Sequence, residues 1–194
     1  MANIIVVTGP QAVGKMTVAE EIKERIGYCL MVNHDSIEVS DKIFGFGTPA
    51  QKELNEIIRK GAFETAINYD INMIFTFVTA FNLQEDIDYL NNIRNMFEST
   101  GGQFYLVELE ADVNTRLERN KTPHRLESKL SKNNIERSQK DLLGTMEKYR
   151  LNSNEGEFIC PNHLKINNTN LEPGEVADQV IEYFKLEKHQ DHIK

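Results

Sequence analysis

Hydrophobic and polar positions follow two alternating patterns along this chain. Short apolar runs rich in β-branched residues are typical of buried parallel strands, and they occur at 3–8, 28–33, 71–78, 103–109 and 163–168. Between these runs, apolar side chains recur at helical spacing, which predicts helices over 18–26, 51–67, 84–99 and 135–149 and from 173 onward. Residues 37–49 follow neither pattern and are predicted to form an exposed, bendable loop. The alternation of strand and helix predicts an α/β domain built on a parallel sheet.

Length and composition limit what this chain can be. Its 194 residues, of which 40% are hydrophobic, suit one α/β domain with a single sheet. The formal net charge of -8 disfavours a nucleic-acid partner, whose phosphates would be repelled. No apolar run approaches the roughly 20 residues of a membrane helix, and the first strand begins at once, so neither a membrane anchor nor a leader peptide is expected. The isolated Cys29 and Cys160 match no metal-ligand spacing, so we interpret them as reduced thiols of a cytoplasmic protein.

The clearest chemical signal is a glycine-rich loop between the first strand and the first helix. It is formed by Gly9, Pro10, Gln11, Ala12, Val13, Gly14, Lys15, Met16 and Thr17. The spacing of its glycines and lysine is that of a phosphate-binding P-loop. Glycines let backbone N–H groups approach phosphate oxygens, the helix N-terminus adds partial positive charge, and the lysine adds a full charge. The pattern also arises by chance in glycine-containing turns, but a strand directly before it and a helix directly after it favour a phosphate site.

One position of this loop departs from the usual pattern and bears on the metal. The hydroxyl residue expected directly after Lys15 comes one residue later, as Thr17, and the thioether of Met16 is a poor ligand for hard Mg²⁺. With this variation the loop resembles that of the nucleoside monophosphate kinase and shikimate kinase group of P-loop kinases. The resemblance implies ATP as phosphoryl donor, Thr17 as a contact of its α-phosphate, and Mg²⁺ held largely through water.

A candidate for the phosphoryl-acceptor site follows the second strand. Asp35 comes at the carboxyl end of that strand, where open parallel sheets bind ligands, although Asp is equally typical of a helix cap there. The family resemblance implies that Asp35 orients or deprotonates the attacking hydroxyl and shares contacts with Mg²⁺ through water. It also implies that 36–68 is the acceptor-binding segment and that Arg59 binds the acceptor's anionic group. A solvated surface arginine is the open alternative for Arg59.

The third strand lacks the acid that many P-loop enzymes use to hold Mg²⁺. Its end reads Thr79-Ala80-Phe81, and Asp70 stands at the opposite end of the strand. Asp35 is therefore the best acidic candidate near the metal, and no side chain is assigned as a direct metal ligand.

The chain after the fourth strand is basic. Residues 116–150 hold ten Lys or Arg and five Asp or Glu, which suggests an anionic ligand in a chain that is net negative. The resemblance makes 120–150 a lid whose arginines close over the triphosphate, with Arg125 as the first candidate and Arg137 as the second. A solvated helical hairpin is the alternative.

Three further residues are implied as nucleotide contacts by the same resemblance. Arg116 and Arg119 lie in the helix after the fourth strand, and Thr169 lies in the loop that follows the fifth strand, beside the adenine. The two arginines are three residues apart, whereas the family usually separates them by four. A pair of surface arginines is the alternative.

The resemblance covers nearly the whole chain and implies both fold and function. It predicts one domain over 1–194 with the three-layer P-loop NTPase fold, a five-stranded parallel sheet in the order 2-3-1-4-5, helices on both faces and a helical lid. It predicts ATP-dependent phosphoryl transfer to a small-molecule hydroxyl or phosphate, with Lys15, Asp35 and Arg125 as catalytic residues. A nucleotide-binding or regulatory module without transfer is the alternative, and a nucleic-acid end kinase is disfavoured by the charge.

Overall fold

The chain folds around a single five-stranded sheet. The computed structural model describes residues 1–121 and 135–188. The strands are β1 (Ile4–Thr8), β2 (Cys29–Met31), β3 (Met73–Thr76), β4 (Phe104–Glu110) and β5 (His163–Asn167). The helices within the described ranges are α1 (Lys15–Ile26), α2 (Asn33–Phe44), α3 (Pro49–Asn68), α4 (Gln84–Glu98), α5 (Val113–Arg119), α6 (Ile135–Lys148) and α7 (Pro173–Phe184). No helix among them is long and apolar enough to cross a lipid bilayer.

The strands pair in parallel in the order β2-β3-β1-β4-β5, which confirms the predicted topology. In the central strand β1, Val7 pairs with Thr76 of β3 and Thr8 pairs with Glu108 of β4. Every residue of β1 is fully buried, because neighbouring strands cover its edges and helices cover its faces. The end of β1 therefore delivers the glycine-rich loop to the middle of the carboxyl edge of the sheet, where open parallel sheets bind ligands.

Successive residues of β1 point to opposite faces of the sheet and bury two separate cores. Ile4 and Val6 belong to a core shared with α3 and α4, whereas Ile5 and Val7 belong to a core shared with α1 and α7. The first core is largely aromatic, with Phe63, Phe75, Phe97 and Phe104, and the second is largely aliphatic, with Val18, Ile22, Val176 and Val180. Helices on both faces give the three-layer arrangement that the sequence predicted.

The prediction of a loop over 37–49 was wrong for most of that range, because α2 continues through it. The buried face of α2 is polar. Ser36 and Ser40 are fully buried against α3, where Ser36 Oγ accepts a hydrogen bond from Arg59 Nε at 3.0 Å and Ser40 Oγ accepts one from Gln51 Nε2 at 3.0 Å. The apolar side chains of α2 include exposed ones, such as Ile43. Analysis of apolar periodicity therefore missed this helix.

Candidate active site

The loop between β1 and α1 has the backbone geometry of an anion nest. Gly9, Ala12 and Gly14 have φ angles of 135°, 61° and 104°, and left-handed residues of this kind let successive N–H groups turn toward one side. A side chain is also excluded at Gly9 by space, since a Cβ there would lie 2.3 Å from the carbonyl oxygen of Leu109. Gly14 is the N-cap of α1, so the positive end of that helix points at the loop.

Lys15 begins α1 and folds back over this loop. Its Nζ donates hydrogen bonds to the carbonyl oxygens of Gly9 and Pro10, each at 2.7 Å. The ammonium group therefore lies on the nest, which is the place where the predicted phosphate charge would need it. A strand, a nest and a helix that begins with lysine thus occur in the predicted order.

Two arginines of α5 lie against the backbone of the loop. Arg116 is 3% exposed, and its Nε donates to the carbonyl of Gln11 at 2.9 Å. Arg119 Nη1 donates to the carbonyl of Val13 at 3.1 Å. The alternative that both are surface side chains is wrong for Arg116. Direct contact of either arginine with a nucleotide stays a prediction.

The loop after β5 contacts the same glycine-rich loop. Asn168 is buried, and its Nδ2 donates to the carbonyl of Val13 at 2.9 Å. Thr169, the predicted neighbour of adenine, accepts a hydrogen bond at Oγ1 from the backbone N–H of Asp112 at 3.0 Å. Sequence reasoning placed Asn168 only at the end of a strand and missed its contact with the loop between β1 and α1. A polar residue next to Thr169 was the available signal, but the partner is 155 residues away.

A buried hydroxyl lies just beyond β3, near the place where many P-loop enzymes have an acid. Thr79 is fully buried, and its Oγ1 lies 2.8 Å from Oγ1 of Thr8, the last residue of β1. Met16 and Thr17 form the first turn of α1. The described residues contain no group of three or more His, Cys, Asp or Glu placed to hold a metal ion. The Thr17 hydroxyl is a hard oxygen that suits a hydrated Mg²⁺, whereas the Met16 thioether does not.

For Asp35 the structure shows the helix cap, one of the two interpretations that the sequence left open. It is exposed at the start of α2, just beyond β2, and its Oδ2 accepts a hydrogen bond from the backbone N–H of Val32 at 2.9 Å. Asp35 is thus an N-terminal cap of α2, located at the carboxyl edge of the sheet. Its role toward an acceptor stays a prediction.

Arg59 is not a solvated surface arginine, because its side chain is 5% exposed. Besides Ser36, its guanidinium binds the Asn33 side chain, with Nη2 donating to Oδ1 at 2.6 Å. The group lies over the rings of Phe75 and Phe77, at 5.7 Å and 5.6 Å from their centroids. Neutral oxygens and aromatic faces therefore form most of its environment.

The charge of Arg59 is only weakly compensated by nearby groups. Oε1 of Glu56 lies 3.5 Å from Nη1, but the Glu56 side chain is 56% exposed and so is largely solvated. Tyr89, whose ring lies 4.9 Å from that of Phe77, does not supply a negative charge, since burial raises the pKa of its hydroxyl to about 12. A buried cation in such surroundings favours the approach of an anionic ligand group.

A buried carboxylate on the other side of β1 is, in contrast, fully paired. Glu108 is 0% exposed and accepts hydrogen bonds from Ser153 Oγ at 2.6 Å, Asn152 Nδ2 at 2.9 Å and His163 Nε2 at 3.0 Å. Lys165 Nζ lies 3.3 Å from its Oε1. Burial alone would raise the pKa of the Glu108 carboxyl, but the hydrogen bonds from His163, Ser153 and Asn152 outweigh burial and lower it to about 2.

The Glu108 cluster anchors the chain that leaves α6, the helix predicted to end the lid. Arg150, two residues before Asn152, adds a second anchor. Its side chain pairs with Glu157 and donates to the Phe81 carbonyl at 3.2 Å, and the Phe81 N–H donates to the Arg150 carbonyl at 2.8 Å. Sequence reasoning missed this cluster, in which Glu108 meets His163, 55 positions away, and Lys165, still further along the chain. Arg125, the predicted lid residue, lies outside the described residues, as does the side chain of Arg137.

Comparison with known proteins adds structural relatives. No protein-family model and no curated protein sequence matches this chain. Among solved structures, a gluconokinase from Sinorhizobium meliloti 1021 aligns over 94% of this chain and 97% of its own, with 17% identity and a TM-score of 0.58. A shikimate kinase from Bacteroides thetaiotaomicron aligns over 95% and 99%, with 14% identity and a TM-score of 0.57. The Mycobacterium tuberculosis APS kinase, solved with AMPPNP and APS, aligns over 95% and 98%, with 16% identity and a TM-score of 0.57.

These relatives are small-molecule kinases, and each is covered almost completely by the alignment. Identities below one fifth show the fold and leave the substrates open. The chain therefore has the fold of the P-loop small-molecule kinases.

Proposed function

We propose that this protein transfers a phosphoryl group from ATP to a small-molecule acceptor. The observation that carries the proposal is the anion nest at Gly9, Ala12 and Gly14, with Lys15 held over it at the centre of the carboxyl edge. Phosphoryl transfer needs little covalent chemistry from a protein, so positioning and charge neutralisation at such a nest provide most of the catalysis.

The acceptor binds, in this proposal, between the nest and the α2–α3 pair. Asp35 positions or deprotonates the attacking hydroxyl, and Arg59 binds an anionic group of the same molecule. The support for Arg59 is its burial with only a long contact to the largely solvated Glu56, because a carboxylate, phosphate or sulfate would supply a stronger counter-charge. The acceptor class is thus a small hydroxylated anion.

Mg²⁺ supplies charge neutralisation between the phosphate oxygens when it is bound. Thr17 and Asp35 are the residues proposed to hold its water shell, consistent with the lack of a side-chain metal cluster in the described ranges. Arg125, and then Arg137, stay our proposed lid arginines on the strength of the sequence alone. The two free cysteines fit the reducing cytoplasm, where we place the reaction.

The experiment is an ADP-release assay with ATP, Mg²⁺ and a panel of hydroxylated anions, neutral polyols and nucleoside monophosphates. Release that depends on one acceptor supports transfer and identifies that acceptor. Lys15→Ala is expected to lose nucleotide binding, whereas Asp35→Asn is expected to keep it and to lose transfer by at least about a hundredfold. Equal transfer by Asp35→Asn and the parent would remove Asp35 from the mechanism.

A nucleotide-binding module without transfer is the second candidate. The Thr8–Thr79 hydroxyl pair favours it, because that pair occupies the strand end where an acid would assist the metal. This candidate predicts ATP binding without ADP release across the whole panel. Turnover with any acceptor would exclude it.

A further inference from the structure

The carbonyl groups of the phosphate loop are held by side chains from two distant parts of the chain. Two donors converge on the Val13 carbonyl, namely Asn168 Nδ2 at 2.9 Å and Arg119 Nη1 at 3.1 Å. Arg116 Nε holds the Gln11 carbonyl at 2.9 Å. The carbonyls of Gln11 and Val13 therefore accept hydrogen bonds from α5 and from the loop that follows β5.

Further contacts hold these three side chains in place. Arg119 Nη2 donates to the backbone carbonyl of Asn168 at 2.8 Å. Arg116 Nη1 lies 3.2 Å from the sulfur of Met146 on α6. Both Asn168 and Arg116 are at most 3% exposed. Buried side chains with several partners hold one rotamer, so the donors meet the loop carbonyls from a fixed direction.

Peptide planarity converts the direction of a carbonyl into the direction of the next N–H. The chain has no cis peptide bond among its described residues, and in a trans peptide the C=O of one residue and the N–H of the next point to opposite sides. Holding the Gln11 carbonyl toward α5 therefore turns the Ala12 N–H away from α5. Holding the Val13 carbonyl toward Asn168 turns the Gly14 N–H away from it in the same manner.

We propose that Asn168, together with Arg116 and Arg119, positions the amides of the phosphate nest. Asn168 acts through the Val13 carbonyl to aim the Gly14 N–H at a phosphate oxygen, and Arg116 acts through the Gln11 carbonyl to aim the Ala12 N–H. Ala12 and Gly14 are the two residues of the nest centre with left-handed φ, so their orientation decides whether the amides converge. This inference rests on the proposed function in one respect, namely that the loop binds phosphates.

An asparagine is suited to this position for a chemical reason. Its Nδ2 donates to Val13, while its Oδ1 lies 3.4 Å from Arg119 Nη1 as an acceptor. An aspartate would keep the pairing with Arg119 but would place a carboxylate oxygen against the Val13 carbonyl, where two acceptors repel. Asn168→Asp therefore keeps nearly the same volume, removes the donor and adds one negative charge, whereas Asn168→Ala removes the donor without adding a charge.

The test uses a probe without a base or a ribose. Inorganic tripolyphosphate and ATP are titrated into the full chain by calorimetry, for the parent, Asn168→Ala and Asn168→Asp. Both variants are expected to bind both ligands about tenfold more weakly, because a misdirected amide affects the phosphates common to them. Weaker ATP binding with unchanged tripolyphosphate binding would overturn the inference, since it would mean that Asn168 acts on the base or the sugar.

The matched control is Asn167→Ala in the same turn. Asn167 is exposed and bonds the neighbouring backbone, with its Oδ1 accepting from Thr169 N at 3.1 Å, and no contact between it and the phosphate loop is observed among the described residues. The Asn167→Ala variant is expected to lose this hydrogen bond of the turn and to change the affinity for tripolyphosphate by less than about twofold. An equal loss in Asn167→Ala and Asn168→Ala would overturn the positioning role and indicate a general effect of the turn.

A spectroscopic readout separates positioning from simple destabilisation. In protein with ¹⁵N-labelled glycine, tripolyphosphate is expected to shift the Gly14 amide resonance of the parent and of Asn167→Ala, and to shift it much less in Asn168→Asp at saturation. An undiminished Gly14 shift in a folded Asn168→Asp variant would contradict the proposal. Absence of ADP release with intact tripolyphosphate binding would reject phosphoryl transfer and leave this inference standing.

Discussion

Glu108 and Arg59 are buried charges of opposite sign on opposite sides of β1, and their surroundings differ. Charged or dipolar donors from Ser153, His163 and Lys165 satisfy the Glu108 carboxylate. Arg59 instead has neutral oxygen partners, two aromatic rings and one long contact with a largely solvated Glu56. A buried charge with a complete set of partners stabilises the fold, whereas one without a full counter-charge is available to a ligand.

From this difference in pairing we expect Glu108 to serve the fold and Arg59 to serve ligand binding. The Glu108 side fastens the chain after α6 to β4, so it holds the frame of the predicted lid. The Arg59 side joins α2 to α3 around a polar interior that an anionic acceptor would complete. Loss of Glu108 should therefore be felt in stability, and loss of Arg59 in the use of the acceptor.

The largest expected effect is that of Glu108→Leu on stability. Removing the carboxylate leaves buried donors of Ser153 and His163 without an acceptor, which should cost about 3–5 kcal/mol in the free energy of unfolding. Urea unfolding followed by circular dichroism measures this change. Glu110→Gln is the control. Glu110 lies on the same strand, but its side chain is 37% exposed and its ion pair with Lys165, at 3.5 Å, is screened by solvent. Its loss should cost at most about 1 kcal/mol in the free energy of unfolding. Equal losses in the two variants would contradict the special role of Glu108.

The second prediction concerns how the free energy of unfolding changes at acid pH. Because the pKa of Glu108 is about 2 in the folded protein and near 4.5 when unfolded, its contribution is complete above about pH 4.5 and is lost as pH falls toward 2. The loss should total about 3 kcal/mol, one proton being bound on unfolding. Unfolding free energies measured at pH 5, 4 and 3 for the parent and Glu108→Gln should converge as pH falls. Parallel curves for the two proteins would refute the lowered pKa.

The third prediction addresses the acceptor through Arg59→Met. We expect kcat/KM for the acceptor to fall by about 30- to 150-fold, or about 2–3 kcal/mol, because the anionic group loses its charged partner. The KM for ATP should stay within about twofold. Arg94→Met is the control, since Arg94 pairs with Glu98 at 2.9 Å on α4 and should leave acceptor kinetics unchanged. Unchanged acceptor kinetics in Arg59→Met would show that Arg59 serves only to join α2 and α3.

The smallest expected effect is that of Ser36→Ala. It removes one neutral acceptor of the Arg59 guanidinium and should cost about 1 kcal/mol of stability and about threefold in acceptor KM. Ser40→Ala lies one turn further on the same buried face and bonds Gln51 instead of Arg59, so it should cost similar stability without the kinetic effect. A matching change of acceptor KM in Ser40→Ala would show that α2 acts as a whole and not through Arg59.

The local parts of this protein were predictable from the sequence. The strand before Gly9 and the helix over 18–26 follow from apolar periodicity, and the structure confirms both, with the helix beginning earlier, at Lys15. The left-handed backbone at Ala12 was not predicted. The strand order followed only from the family resemblance and is also confirmed. The helix α2 was missed, because its buried residues are serines and its exposed ones include apolar side chains.

The sequence by itself thus determined the strand before the glycine-rich loop, the glycine spacing of that loop and the helix after it, because these depend on residues close in the chain whose types are chemically constrained. Only the tertiary structure decided that Arg59 is buried with a weak counter-charge, that Glu108 is fully paired and that Asn168 holds the Val13 carbonyl. Those contacts join residues far apart in sequence, and the desolvation that gives buried charges and amides their strength exists only once the helices have packed. Sequence patterns report local periodicity, whereas burial and partner choice are properties of the folded chain.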